Sequence, residues 1–339
     1  MGVSLSNNNF AQGAEKALAT TFAAAGPALN DAEKSLFREA GPFGFILFAR
    51  NCENPQQLYA LVQTLKETVG RDCPVLIDQE GGRVQRLRPP HWRDYPTFQS
   101  YGELYESQPD EALEDLRFDT LRIAESLTEL GINVNCTPVL DLIIEGSHDI
   151  IGDRSFSSDP EIAGRLGLSV CRHLLKAGVT PVIKHLPGHG RARADSHLEL
   201  PVVEADPGDL ARLDFSPFKQ VSRSDVGSSV WAMTAHIVYP ALDQDNPATL
   251  SSKIISEVIR GEIGFQGFLV GDDLDMKALD PYGSLSERAI ASLKAGCDLA
   301  LYCKGELKEM EKLAENLPKI GKNALMRLKK ASESGNIAA

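Results

Sequence analysis

Apolar residues in this chain come in short runs, with longer amphipathic stretches between them. Runs at 17–23, 44–48, 73–77, 132–135, 179–183, 228–235, 267–271 and 297–302 are largely apolar throughout rather than alternating with polar residues. That pattern predicts strands covered on both faces. Stretches at 55–70, 110–131 and 159–178 carry the helical period and end on Gly70, Gly131 and Gly178, and the last opens on Asp159-Pro160. They read as helices with ordinary start and stop signals. Eight strands alternating with helical segments predict a parallel (β/α)8 barrel. A doubly wound sheet would favour a glycine-rich phosphate loop after the first strand, and the chain has none there. With no repeat, linker or break in composition, residues 1–339 read as one domain whose tail, 332–339, frays.

In such a barrel the chemistry sits where the strands end. Ionisable residues follow six of the runs. Arg50 follows the second, and Asp78, Glu80, Arg83 and Arg86 the third. Asp141, Asp153 and Arg154 follow the fourth, Lys184 and His185 the fifth, and His236 the sixth. Asp272, Asp273 and Asp275 follow the seventh. Taken singly, Asp78 or Asp141 could cap a helix, Arg86 or Arg154 could serve a structural ion pair, and His236 could be a satisfied core histidine. Their joint placement points to a pocket for a hydroxyl-rich or charged small molecule.

Composition narrows the field. Hydrophobic residues make up 42% of the chain and charged residues 24%, an ordinary globular balance. A net charge of −12 opposes binding to phosphate backbones, so nucleic acid is not an expected partner. The six cysteines are scattered without a C-x-x-C pair, which predicts mostly buried free thiols in a reducing cytoplasm. No apolar run is long enough for a membrane span. Residues 16–29 imitate a signal peptide, but the preceding segment lacks a basic character and a buried first strand is the better reading. The opening MGVSLS fits a loose myristoylation pattern that no second membrane signal supports.

Three of the seven histidines fall in KHLPGHGRARADSHLELP, residues 184–201. One reading is metal-dependent hydrolysis with His185, His189, His197, His236 and Asp272 as ligands. The ligand types suit it; the spacing supplies neither H-x-H at a strand end nor H-E-x-x-H. The other reading is glycoside hydrolysis, which pairs a carboxylate on one side of the sugar with an acid/base on the other. In an extended segment Asp272 and Asp273 point to opposite sides, so only one is expected to face the pocket.

KHLPGHG, DSHLELP, MTAHIVYPALD and GFQGFLVGDDLDM closely resemble the family 3 glycoside hydrolases, in particular the single-domain bacterial β-N-acetylglucosaminidases of peptidoglycan recycling. The resemblance extends from GFILFARN and IDQEGGRVQRL through GDRSF to the aspartate strand. It implies a retaining exo-enzyme with Asp272 as nucleophile and His197 as general acid/base, oriented by Asp195. It further implies sugar contacts from Asp78, Arg86, Arg154, Lys184 and His185. Histidine titrates near neutrality and can deliver and retrieve a proton, and a glycine-rich loop would let it swing over the sugar. His189 is assigned to loop structure, and Met276 and His236 are expected to line the pocket. Leu186 and Gly271 depart from the commoner Phe or Ile and Ser at those positions. The implied substrate is N-acetylglucosamine joined to anhydro-N-acetylmuramic acid in a muropeptide, handled by a cytoplasmic monomer without metal or cofactor. Phosphorolysis, metal-dependent hydrolysis, substrate-assisted hydrolysis and sugar binding without turnover stay open.

Overall fold

The eight apolar runs all become barrel strands. The computed structural model describes residues 8–196 and 198–334. Strands β1 (Leu18–Phe22), β2 (Pro42–Leu47), β3 (Val75–Ile77), β4 (Val134–Asn135), β5 (Thr180–Leu186), β6 (Trp231–Thr234), β7 (Phe268–Asp273) and β8 (Leu299–Leu301) pair in parallel with their neighbours. Thr20 of β1 pairs with Ala300 of β8 and closes the (β/α)8 barrel. Residues 1–6, with the lipidation pattern, and 335–339 of the expected tail lie outside the described residues. The last helix, Lys322–Ser334, continues through the first residues of that tail.

Helices fill every connection. The expected helices are Pro55–Val69, Pro109–Glu129 and Pro160–Lys176. Asn54 and Asp159 cap the first and third of these, accepting from the backbone N–H groups of Gln57 and Glu161. Asp31–Ala40, Phe98–Ser107, Ser216–Ser222, Ile254–Ile263, Leu285–Ala295 and Leu307–Asn316 cover the remaining strands. Among the described residues, no helix is long and apolar enough to cross a membrane. The cysteines are free, and four of the six are buried.

The lower lumen is packed solid. Trp231 meets Phe268 at 4.6 Å and Phe10 at 5.4 Å between ring centroids, and Phe43 lies 5.5 Å from Phe268. This aromatic layer, with Val182, Val134 and Leu328 around it, forms an apolar floor. Polar residues therefore gather in the upper half of the barrel, where the strands end.

Two strands depart from regular register at that upper end. On β5, Ile183 pairs with Ala232 and Leu186 with Thr234, so three residues advance against two. On β7, Val270 pairs with Leu299 and Asp273 with Leu301, again three against two. Such bulges re-aim side chains and gather beside active sites.

Candidate active site

The bulges deliver two consecutive pairs, Lys184–His185 and Asp272–Asp273, to one cavity of about 330 Å³. This corrects the expectation that only one of the two aspartates faces the pocket. Strict alternation fails where an extra residue enters the strand. Asp78, Arg86, Arg154 and Met276 also border this cavity, as the sequence reading proposed.

A charge network forms one wall. Asp78 accepts from Lys184 Nζ at 2.9 Å through one oxygen and from Arg86 Nη2 at 3.0 Å through the other. Glu80 takes Arg154 in a fork, with Nε and Nη2 both at 2.9 Å, and Lys184 Nζ lies 2.7 Å from its Oε1. Arg86 and Arg154 are thus ion-pair partners and cavity residues at once. Burial opposes ionisation of Asp78, but the adjacent Lys184 and Arg86 charges outweigh it and hold the carboxyl far below its ordinary range. Burial opposes charge on Glu80 too, and Arg154 and Lys184 again prevail. The same partners overcome the burial of Lys184 and push its pKa up. Arg154 and Lys184 are therefore fixed in place and charged. Sequence reasoning noticed Glu80 and gave it no role; its place two residues after Asp78, on a short hairpin strand Gln79–Gly81, was the available signal.

Asp141 holds the adjoining stretch of wall together. It is 1% exposed and borders no helix start. Its Oδ2 lies 2.7 Å from His185 Nδ1, and its Oδ1 accepts the His189 N–H at 2.6 Å. His185 thereby presents its other ring nitrogen side toward the cavity it lines. Burial opposes charge on Asp141, but His185 beside it keeps its pKa low.

On β7, Asp272 Oδ1 accepts the Asp273 N–H at 2.8 Å. Asp273 Oδ1 accepts the N–H groups of Asp275 and Cys303, both at 3.2 Å. Burial, with Asp272 nearby, pushes the Asp273 pKa up to about 6. Asp273 is thus tied to the barrel rim and is harder to ionise than an ordinary carboxyl. His236 does not border the cavity. It is fully buried, with Nδ1 2.7 Å from Thr249 Oγ1 and Nε2 2.9 Å from the Asp273 carbonyl oxygen, so it anchors β7 from behind. This corrects its expected place in the pocket lining and matches the alternative of a satisfied core histidine.

The 184–201 loop runs above. His197, the expected acid/base, lies outside the described residues. Asp195 is half-buried, and its carbonyl accepts the N–H groups of Leu198 at 2.9 Å and Glu199 at 3.0 Å, forming a tight turn. The glycines at the loop stem answer to close packing. A Cβ on Gly190 would stand 2.2 Å from the Leu142 carbonyl oxygen, and Gly188 has φ +143° with Asp214 pressed against it. His189 is 3% exposed and does not border the cavity; its ring packs edge-on against His185, 5.6 Å between centroids. Among the described residues, no three His, Cys, Asp or Glu side chains converge as metal ligands.

Comparison with known proteins identifies the family. The glycosyl hydrolase family 3 N-terminal domain matches residues 16–333. A beta-hexosaminidase of Nitrosomonas eutropha is 38% identical over 82% of this chain and 78% of its own length. One of Bordetella avium is 36% identical over the same shares. The crystal structure of NagZ from Neisseria gonorrhoeae in complex with N-trifluoroacetyl-D-glucosamine superposes with a TM-score of 0.84 at 31% identity, covering 95% of this chain and 93% of that one. The chain belongs to glycosyl hydrolase family 3, and it is a glycoside hydrolase.

Proposed function

We propose that the protein is a retaining exo-β-N-acetylglucosaminidase that removes terminal N-acetylglucosamine from muropeptide fragments, acting as a cytoplasmic, single-domain monomer. The observation that carries this reading is the cavity itself. One buried carboxylate-and-cation wall faces Asp272 across a space suited to a small ligand. Its relatives' names, and the N-acetylglucosamine derivative bound to the gonococcal structure, support the sugar assignment.

In this reading the sugar hydroxyls lie against Asp78, Arg86, Arg154, Lys184 and His185. Carboxylate and guanidinium groups already fixed by ion pairs can grip vicinal hydroxyls without further ordering cost. Asp272 has one oxygen held by the Asp273 N–H and attacks the anomeric carbon with the other. The glycosidic C–O bond breaks as His197, oriented by Asp195, protonates the leaving oxygen. The resulting glycosyl ester is cleaved by water, whose proton returns to His197, and Asp272 is released as carboxylate. Asp273 is cast instead as the rim anchor of β7, since its Oδ1 accepts two backbone N–H groups.

The test is nitrophenol release from an aryl N-acetyl-β-glucosaminide by wild type and Asp272→Ala, with and without chelator and with and without phosphate. The reading expects turnover indifferent to chelator and phosphate that collapses in the variant. Activity lost to chelator would restore the metal reading, and dependence on phosphate would make the enzyme a phosphorylase.

A further inference from the structure

The loop that carries Asp195 and His197 meets the barrel at one buried side chain between them, Ser196. Ser196 is 3% exposed. Its Oγ lies 3.2 Å from His189 Nε2, and its carbonyl accepts the Ala278 N–H at 3.4 Å, from the segment following β7. His189 is itself fastened, because its backbone N–H donates to Asp141 and its carbonyl accepts from Ala192 at 3.1 Å. Asp141 also holds His185 in the cavity wall. A continuous chain of buried contacts therefore runs from a sugar-wall residue, through Asp141 and His189, to the residue flanked by the two dyad positions.

We infer that His189 and Ser196 are positioning residues, a seat that holds Asp195 in register with the nucleophile strand. The tautomer follows from the surroundings. His189 Nδ1 is buried without a partner. A buried orphan N–H is rarer than an under-used acceptor, so the ring proton belongs on Nε2 and is donated to Ser196 Oγ. Burial and the nearby His185 push the His189 pKa down to about 4, which keeps this tautomer neutral through the working range of a glycosidase. The Asp195 carbonyl is itself held by the N–H groups of Leu198 and Glu199, so displacing Ser196 displaces Asp195 beside it. The inference rests on the proposed acid/base role of His197.

Ser196→Ala removes the hydroxyl without adding bulk. With a dinitrophenyl N-acetyl-β-glucosaminide, departure of the aglycone needs little acid, and cleavage of the glycosyl ester limits the rate. Azide then attacks the anomeric carbon without a general base. It forms a C–N bond as the C–O bond to Asp272 breaks, and gives the β-glycosyl azide. The seat predicts kcat down about fivefold in Ser196→Ala, as expected for one lost hydrogen bond. KM should stay within a factor of two, the melting temperature near wild type, and azide should restore turnover with the azide product formed. His189→Gln, whose amide can replace the Nε2–H donor, should lose less than His189→Leu. An unchanged kcat in Ser196→Ala, or a loss that azide does not relieve, would overturn the seat. His197→Ala separates the seat from the acid/base role. If it shows the large kcat loss and azide rescue while Ser196→Ala shows neither, only the seat fails. If His197→Ala itself lacks both, the acid/base assignment fails first.

Discussion

Glu80 is the side chain whose loss would expose the most about how this site is built. It is 4% exposed and holds both Arg154 and Lys184. In Glu80→Gln the shape is kept and the charge removed. Arg154 loses its fork and retains one contact, Nη1 to the Ile150 carbonyl at 3.1 Å. Lys184 keeps Asp78 at 2.9 Å. Removing one partner of a buried ion pair typically costs about 3–5 kcal/mol. Here the amide oxygen still accepts one hydrogen bond and both cations border a cavity that water can enter, so about 3 kcal/mol is the expected loss. A displaced Arg154 should also raise KM about tenfold, the equivalent of ~1.4 kcal/mol of sugar binding. Urea unfolding reports the first quantity through its midpoint at constant slope, and aryl-glycoside kinetics report the second. The double variant Glu80→Leu/Arg154→Met should recover much of the stability and none of the binding, because a buried pair can be replaced by apolar packing but the sugar contact cannot. A Glu80→Gln protein less than about 1 kcal/mol weaker, with unchanged KM, would show that Glu80 does not hold the cationic wall.

Other consequences follow from how tightly the side chains around the site are packed. His189, with a pKa near 4 in the fold against 6.5 for the free side chain, binds its proton less readily folded than unfolded. Stability should fall as pH drops from about 6.5 toward 4, by roughly 3 kcal/mol in total from this residue, and His189→Gln should flatten that limb of a stability–pH profile. An equally steep limb in the variant would assign the effect elsewhere. Gly102 lies where a Cβ would stand 1.6 Å from the Phe156 carbonyl oxygen. Gly102→Ala should therefore cost about 3 kcal/mol or more and, by shifting the segment that carries Arg154, weaken substrate binding. Normal thermal stability in that variant would mean the helix Phe98–Ser107 can retreat freely.

The barrel was legible because parallel strands covered on both faces leave continuous apolar runs. Those runs stopped short where function begins. The fifth was read to 183 and the seventh to 271, whereas β5 continues to Leu186 and β7 to Asp273. The missing residues are the polar ones, Lys184, His185, Asp272 and Asp273, which break the apolar signal while keeping the strand. Alternation misjudged the aspartate pair because a bulge is a property of the paired strands, and one strand's sequence does not display it. Asp78, Arg86, Arg154, Lys184 and His185 were legible together as cavity residues because each lies beyond the end of an apolar run. The function of Glu80 was not, since it depends on two cations 74 and 104 positions further along the chain that only closure of the barrel brings to it. His236 sits at a strand end like the others, but its side chain turns into the packed layer behind β7, a direction fixed by Thr249.

The central claim is that Asp272 forms the covalent bond to the sugar. The most direct measurement is mass spectrometry of the enzyme quenched during turnover of a slow, fluorine-substituted N-acetylglucosaminyl fluoride, followed by peptide mapping. The account predicts one glycosyl adduct on the peptide containing Asp272, absent in Asp272→Ala. An adduct on Asp273, or none alongside an oxazoline made by the substrate's own acetamido group, would contradict it.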